Sequence, residues 1–113
     1  MKNSAKENNN QESKMRILDL SLTYHWYDMI ASGVKKEEYR EIKYFYVKRL
    51  FDLYNPDTHF KHYDAVRFHR GQGGKVSMLV ECKGIRIGRG KPDWGAPEEN
   101  VFIISLGEII SKD

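Results

Sequence analysis

From Tyr63 onward the apolar residues of this chain recur at every second position, and glycines interrupt the runs before a helical period can establish itself. Val66 and Phe68 alternate with Arg67 and His69. Val76, Met78 and Val80 line one side of the next run, with Leu79 and Glu81 on the other, and Ile85 and Ile87 continue it with Arg86 and Arg89 outward. A side-chain period of two belongs to strands. Gly71-Gln72-Gly73-Gly74 marks a turn, Gly84 permits a bend, and Gly107 separates a Val101 to Leu106 run from a short Ile109-Ile110 strand. A doubly wound parallel sheet needs helices between its later strands, and none is seen here, so that architecture is excluded.

The first half reads differently. Ile17, Leu18, Leu20 and Leu22 partly alternate with Asp19 and Ser21, which predicts a strand over 15–22. Thr23 can cap a helix through about Ser32, with Trp26, Met29 and Ile30 on one face, and Gly33 suits the left-handed position after it. Lys36 to Ile42 looks extended, and Tyr44, Val47, Leu50 and Phe51 give a second amphipathic helix that ends before Asn55-Pro56. Two early helices followed by several short strands predict an α+β fold. Its sheet of about five or six strands curls towards a small barrel, with the two helices flanking it.

A chain of 113 residues, 40% apolar, suffices for one compact domain. Residues 1–14 contain four Asn and five charges, too little apolar surface to offset ordering, so a flexible polar tail is expected there and a single domain over 15–113. Met15, directly before the first strand, is a candidate alternative translation start. No apolar run approaches the roughly 20 residues of a membrane span, and the N-terminus has no apolar signal core. Cys82, the single cysteine, cannot form an internal disulfide. A cytoplasmic protein is expected. Charge is unevenly spread: 67–91 carries seven bases against Glu81 alone, whereas 92–113 carries five acids and one Lys. Such a basic stretch suits a polyanion such as nucleic acid, or else forms a solvated face balanced by an acidic neighbour.

The densest charge lies in Gly33-Val34-Lys35-Lys36-Glu37-Glu38-Tyr39-Arg40, between a helix end and a strand. In extended backbone Glu38 and Arg40 project from one face, and Lys35 in the preceding turn can swing to it. Two cations and a carboxylate at the mouth of a small barrel could bind phosphate or a polar base edge, and a desolvated lysine could act as base or nucleophile. The alternative for the same residues is a surface ion pair worth under about 1 kcal/mol.

Gly33, Lys35, Glu38 and Arg40 match every specified position of G-x-K-x-x-E-x-R, the hallmark of the ASCH domains of the PUA-like superfamily, and the chain resembles that family over roughly residues 15–111. Leu18 to Ser32 looks like its opening strand and helix, Tyr63 to Phe68 like the strand before its glycine turn, and Ile104 to Ile110 like its last strand. The resemblance implies a PUA-like β-barrel with a cleft beside the motif that accommodates RNA or nucleotides, lined by Lys35, Glu38 and Arg40. Some small bacterial members look like amidohydrolases of acetylated cytidine that use a Lys, a Thr and a Glu. Lys35 matches their lysine and Glu81 their glutamate, while their threonine position is held by Glu38.

Two functional expectations follow. The first is an RNA- or nucleotide-binding module in which Lys35 and Arg40 contact phosphate or base and Glu38 orients them. Tyr24 or Tyr27 would stack on a base, Trp26 being read as helix-face packing, and Arg67, Arg86 and Arg89 would steer the polyanion. The second is a hydrolase of an acylated or modified nucleoside, with Lys35, Glu38 and Glu81 as candidate catalytic groups and Lys35 and Glu81 as the acid/base pair. Arg70 to Lys75 is a hairpin turn rather than a P-loop, since Val76 follows Lys75. The His59-x-x-His62 pair has no second cysteine or carboxylate cluster at ligand spacing, so no metal, cofactor or membrane partner is expected.

Overall fold

Leu18, Leu20 and Leu22 turn inward while Asp19 and Ser21 stay exposed, and this hexad forms β1 (Ile17–Leu22). The computed structural model describes residues 14–113, so the tail expected over 1–14 lies, Lys14 apart, outside the described residues. After β1 come α1 (Tyr24–Ala31), β2 (Glu37–Arg40), α2 (Tyr44–Leu50), β3 (Ala65–Arg70), β4 (Ser77–Arg89), a single 3-10 turn (Pro92–Trp94) and β5 (Asn100–Lys112). The fold is α+β. Its sheet runs β1-β3-β4-β5-β2, with β1 parallel to β3 and every other pairing antiparallel, and it curls into a half-barrel.

The inner face of that curl is the core. Leu18, Leu20, Leu22, Val66, Phe68, Met78, Val80, Phe102, Ile104 and Leu106 line it, Tyr27 and Ile30 of α1 close it from one side, and Leu50 of α2 from the other. Tyr27 and Ile30 lie three residues apart and so share one helix face. Thr23 occupies the position before α1 in extended conformation, but its hydroxyl makes no capping bond; its carbonyl accepts from the Tyr27 N–H at 3.0 Å. Among the described residues no helix is long and apolar enough to cross a membrane.

Gly107, expected to separate two strands, lies within one, and the run through Gly84 continues as expected. β4 and β5 each run 13 residues. The pairing of β4 with β5 slips between Leu79 and Val80, Val80 and Cys82, and Cys82 and Gly84. These irregularities shift the inward positions from Met78, Val80 and Cys82 to Ile85. Gly84 adopts φ +140° there. At Gly107 the carboxylate end of the Glu81 side chain occupies the space that a Cβ would take. The connection between α2 and β3 is held by aromatic packing: the Phe51 and Phe60 rings stack with centroids 5.0 Å apart, and both meet Phe102 near the perpendicular.

Candidate functional site

The motif begins where α1 ends. Gly33, at φ +84°, takes the left-handed conformation that a side-chain-bearing residue resists. The Val34 and Lys35 N–H groups both donate to the Met29 carbonyl, and this tight exit aims Lys35 inward. β2 then pairs with β5, setting Glu38 opposite Ile104 and Arg40 opposite Phe102. Both β5 residues face the core, so Glu38 and Arg40 project from the inner face of an edge strand.

Glu38 is the hub. Its Oε1 accepts from Lys35 Nζ at 3.0 Å, and its Oε2 accepts from Arg40 Nε at 2.9 Å. Lys35 is 2% exposed and Glu38 5%. Lys35 also donates to the Glu37 carbonyl and lies over the Tyr39 and Trp26 rings, 4.8 and 5.7 Å from their centroids. Burial pushes the Lys35 ammonium below its ordinary range against the opposing pull of Glu38. Arg40 Nη1 donates to the Tyr46 hydroxyl at 2.8 Å, and Nη2 donates to the Ser21 carbonyl at 3.0 Å. β1 and β2 are the two edges of the sheet, so this guanidinium spans the seam that the strands leave open. Among the described residues no buried side-chain nitrogen or oxygen lacks a partner. Lys35, Glu38 and Arg40 thus form a buried, internally satisfied network rather than the alternative surface ion pair.

A concavity of about 320 Å³ opens at that seam, bordered by Trp26, Glu38, Arg40, Lys43 and Tyr46 together with Ser21 to Thr23. A neighbouring hollow of about 400 Å³ shares Ser21, Leu22 and Thr23 and extends to Tyr24 and Gly71. Tyr24 is exposed, with the Arg70 guanidinium 4.1 Å from its ring centroid and itself bound by Asp28 through two hydrogen bonds. Tyr27 corrects the sequence expectation: it is 4% exposed and packed in the core, out of reach of a stacking base. Trp26, expected only to pack, is half-buried and forms a wall of the concavity. Tyr46 and Lys43 were not anticipated there; the one available signal was their position just beyond a charged strand.

The expected pairing of Lys35 with Glu81 is not formed. Glu81 is exposed on β4, where its Oε1 accepts from the Glu108 N–H at 3.3 Å, and the carboxylate that meets Lys35 is Glu38. Met78, Val80 and Cys82 face the core, so alternation sets Glu81 on the opposite side of the strand, away from the inner face that carries Glu38. Lys35 itself borders a different hollow, about 230 Å³ between the end of α1 and Gly107-Glu108. Arg67 sits on β3 opposite Leu79 and next to Asp19 of β1, and Arg89 is exposed at the end of β4. Arg86 lies away from the motif's inner face, donating to Glu37 Oε2 at 2.9 Å and to Ser105 Oγ at 2.8 Å.

Tyr39 connects that outer network to the loop after β4. Its hydroxyl donates to Glu37 Oε1 at 2.8 Å and accepts from the Lys91 N–H at 3.0 Å. Burial first, and the Glu37 carboxylate after it, push the phenol up to about 12 from an ordinary 10.0. The neutral phenol therefore supports the fold fully below its unfolded value, and that support is lost as pH rises through the folded one. Alkaline titration read in phenolate absorbance should show a step near pH 12 that Tyr39→Phe removes; an unchanged profile in the variant would refute the assignment.

Burial pushes the Cys82 thiol up, away from reactive thiolate character. His62 Nε2 lies 2.9 Å from Asp64 Oδ1, and among the described residues no group of three or more His, Cys, Asp or Glu is placed to hold a metal ion. Comparison with protein-family models, with curated proteins and with solved structures finds nothing that matches this chain.

Proposed function

We propose that the chain is an ASCH-type, PUA-like binding module that holds a nucleotide, free or within single-stranded RNA, in the concavity beside Glu38 and Arg40. The observation that carries this reading is the composition of that hollow. It combines the aromatic side chains of Trp26, Tyr39 and Tyr46 with the cations of Arg40 and Lys43, beside the carboxylates of Glu38 and Glu41, in a volume of about 320 Å³. Small-ligand sites begin at roughly 300 Å³. An aromatic wall accepts the face of any base, and cations supply a partner for its phosphate. Arg40 already commits Nε, Nη1 and Nη2 within the protein, so Lys43 at the rim is the principal phosphate contact and Glu38 holds Arg40 and Lys35 in place. Arg67, Arg86 and Arg89 contribute through the field of the basic stretch rather than by contact in the hollow.

The test is fluorescence of Trp26 in a Trp94→Phe background, titrated with cytidine 5′-monophosphate. Saturable quenching is expected, weakened about tenfold by Lys43→Glu and by added salt. No quenching at millimolar nucleotide refutes the reading.

The second reading, a hydrolase of an acylated nucleoside, rests on the depressed Lys35 ammonium, a group of the kind that functions as a base. Glu38 rather than Glu81 is then its partner. Turnover of acetylated cytidine that disappears in a folded Lys35→Met variant supports this alternative, and absence of turnover removes it.

A further inference from the structure

The helix that supplies Tyr46 has an outward face with no partner among the described residues. α2 reads Tyr44-Phe45-Tyr46-Val47-Lys48-Arg49-Leu50. Leu50 is buried, with Tyr46 and Val47 packed against the core, which leaves Tyr44, Phe45, Lys48 and Arg49 facing out. Tyr44 is 76% exposed and Phe45 53%, although aromatic side chains of this size are costly to leave in water. Each carries a cation from four residues later: Lys48 Nζ lies 5.4 Å from the Tyr44 centroid, and the Arg49 guanidinium 4.2 Å from that of Phe45. This face is continuous with the cleft. Phe45 meets Tyr46 edge to face at 5.0 Å, and Tyr46 in turn lies beneath Arg40 at 5.5 Å.

We infer that the outward face of α2 is a stacking platform that extends the cleft into a track for single-stranded nucleic acid several nucleotides long. The inference rests on the nucleotide reading of the cleft and adds its substrate class, a strand rather than a mononucleotide. Rings interleaved with cations are what a strand requires, since bases stack while the intervening phosphates need positive charge at the same spacing. Lys43, Lys48 and Arg49 supply that charge, against Glu41 beside Lys43 at 3.7 Å and Asp52 beyond the helix. A lipid surface fits poorly. An interfacial helix keeps its apolar face clear of charge, whereas here the cations lie over the aromatic rings themselves, on a helix of seven residues.

The experiment compares two probes on the full chain: cytidine 5′-monophosphate and a labelled oligouridylate of about ten nucleotides, long enough for the site sizes of comparable grooves. Wild-type protein should bind the oligonucleotide at least tenfold more tightly than the mononucleotide. The exposed pair Tyr44→Ala/Phe45→Ala should lose that advantage by about tenfold to a hundredfold while leaving mononucleotide binding unchanged. Lys48→Ala/Arg49→Ala should flatten the salt dependence for the oligonucleotide by about 0.7 in logarithmic slope for each phosphate contact removed. If the mononucleotide binds but the oligonucleotide gains nothing, or the aromatic pair variant is unaffected, the platform is overturned and the cleft reading stands. If neither probe binds, both fall. Binding to phosphatidylserine vesicles or concentration-dependent self-association that the same pair variant abolishes, with no effect on RNA, assigns the face to another partner and also overturns the inference.

Discussion

Glu38→Ala should destabilise the protein by about 3–5 kcal/mol, the usual consequence of stranding a buried charge. The substitution strands two at once. Lys35, at 2% exposure, loses its carboxylate partner, and Arg40 loses its carboxylate acceptor while keeping those of Tyr46 and Ser21. Lys35→Met is the informative contrast: it leaves Glu38 paired with Arg40 and fills the same apolar space between the Trp26 and Tyr39 rings, so it should cost far less. Urea unfolding measures both. Small domains hold about 5–15 kcal/mol in total, so Glu38→Ala should bring the midpoint close to native conditions. A loss within 1 kcal/mol, or one matched by Lys35→Met, would mean that Glu38 is not the centre of the network.

Phe102→Ala is the second large effect, again about 3–5 kcal/mol, from lost transfer energy and the cavity left behind. Phe102 is fully buried and is the surface on which Phe51 and Phe60 are seated. Its removal should therefore also release the segment between α2 and β3, which hydrogen exchange would show as faster exchange at the Lys61 N–H, bonded in the native state to the Leu50 carbonyl. Unfolding that stays equally cooperative, with exchange at Lys61 unaltered, would argue that the segment is anchored elsewhere.

Much of this architecture is written locally. Leu18, Leu20 and Leu22 announce β1, Gly33 marks the exit from α1, and Glu38 and Arg40 share a face because extended backbone leaves them no other arrangement. Their burial is another matter. Nothing near residue 38 indicates that an edge strand will lie over Phe102 and Ile104, because those partners come from the far end of the chain. The choice between Trp26 and Tyr27 likewise depends on how α1 rotates against the sheet, and neighbouring aromatics of similar size carry no signal for it. The pairing of Glu81 with Lys35 rests on the family resemblance alone, whereas the alternation of β4 already sets Glu81 on the face opposite Met78 and Val80, where it lies. The long strand through Gly107 escapes local reading too, since a glycine that breaks a strand and one that continues it look identical in sequence.

The order of the strands also has a kinetic consequence. β2 is synthesised early, yet its ladder partner is β5, so Glu37 must wait for Ser105. Until then the Lys35–Glu38–Arg40 triad has no roof, and its charges stay hydrated while the rest of the sheet forms. Sheets dominated by such distant contacts fold in milliseconds to seconds rather than microseconds. The concavity beside Glu38 and Arg40 is therefore among the last parts of the molecule to exist, complete only when β5 docks.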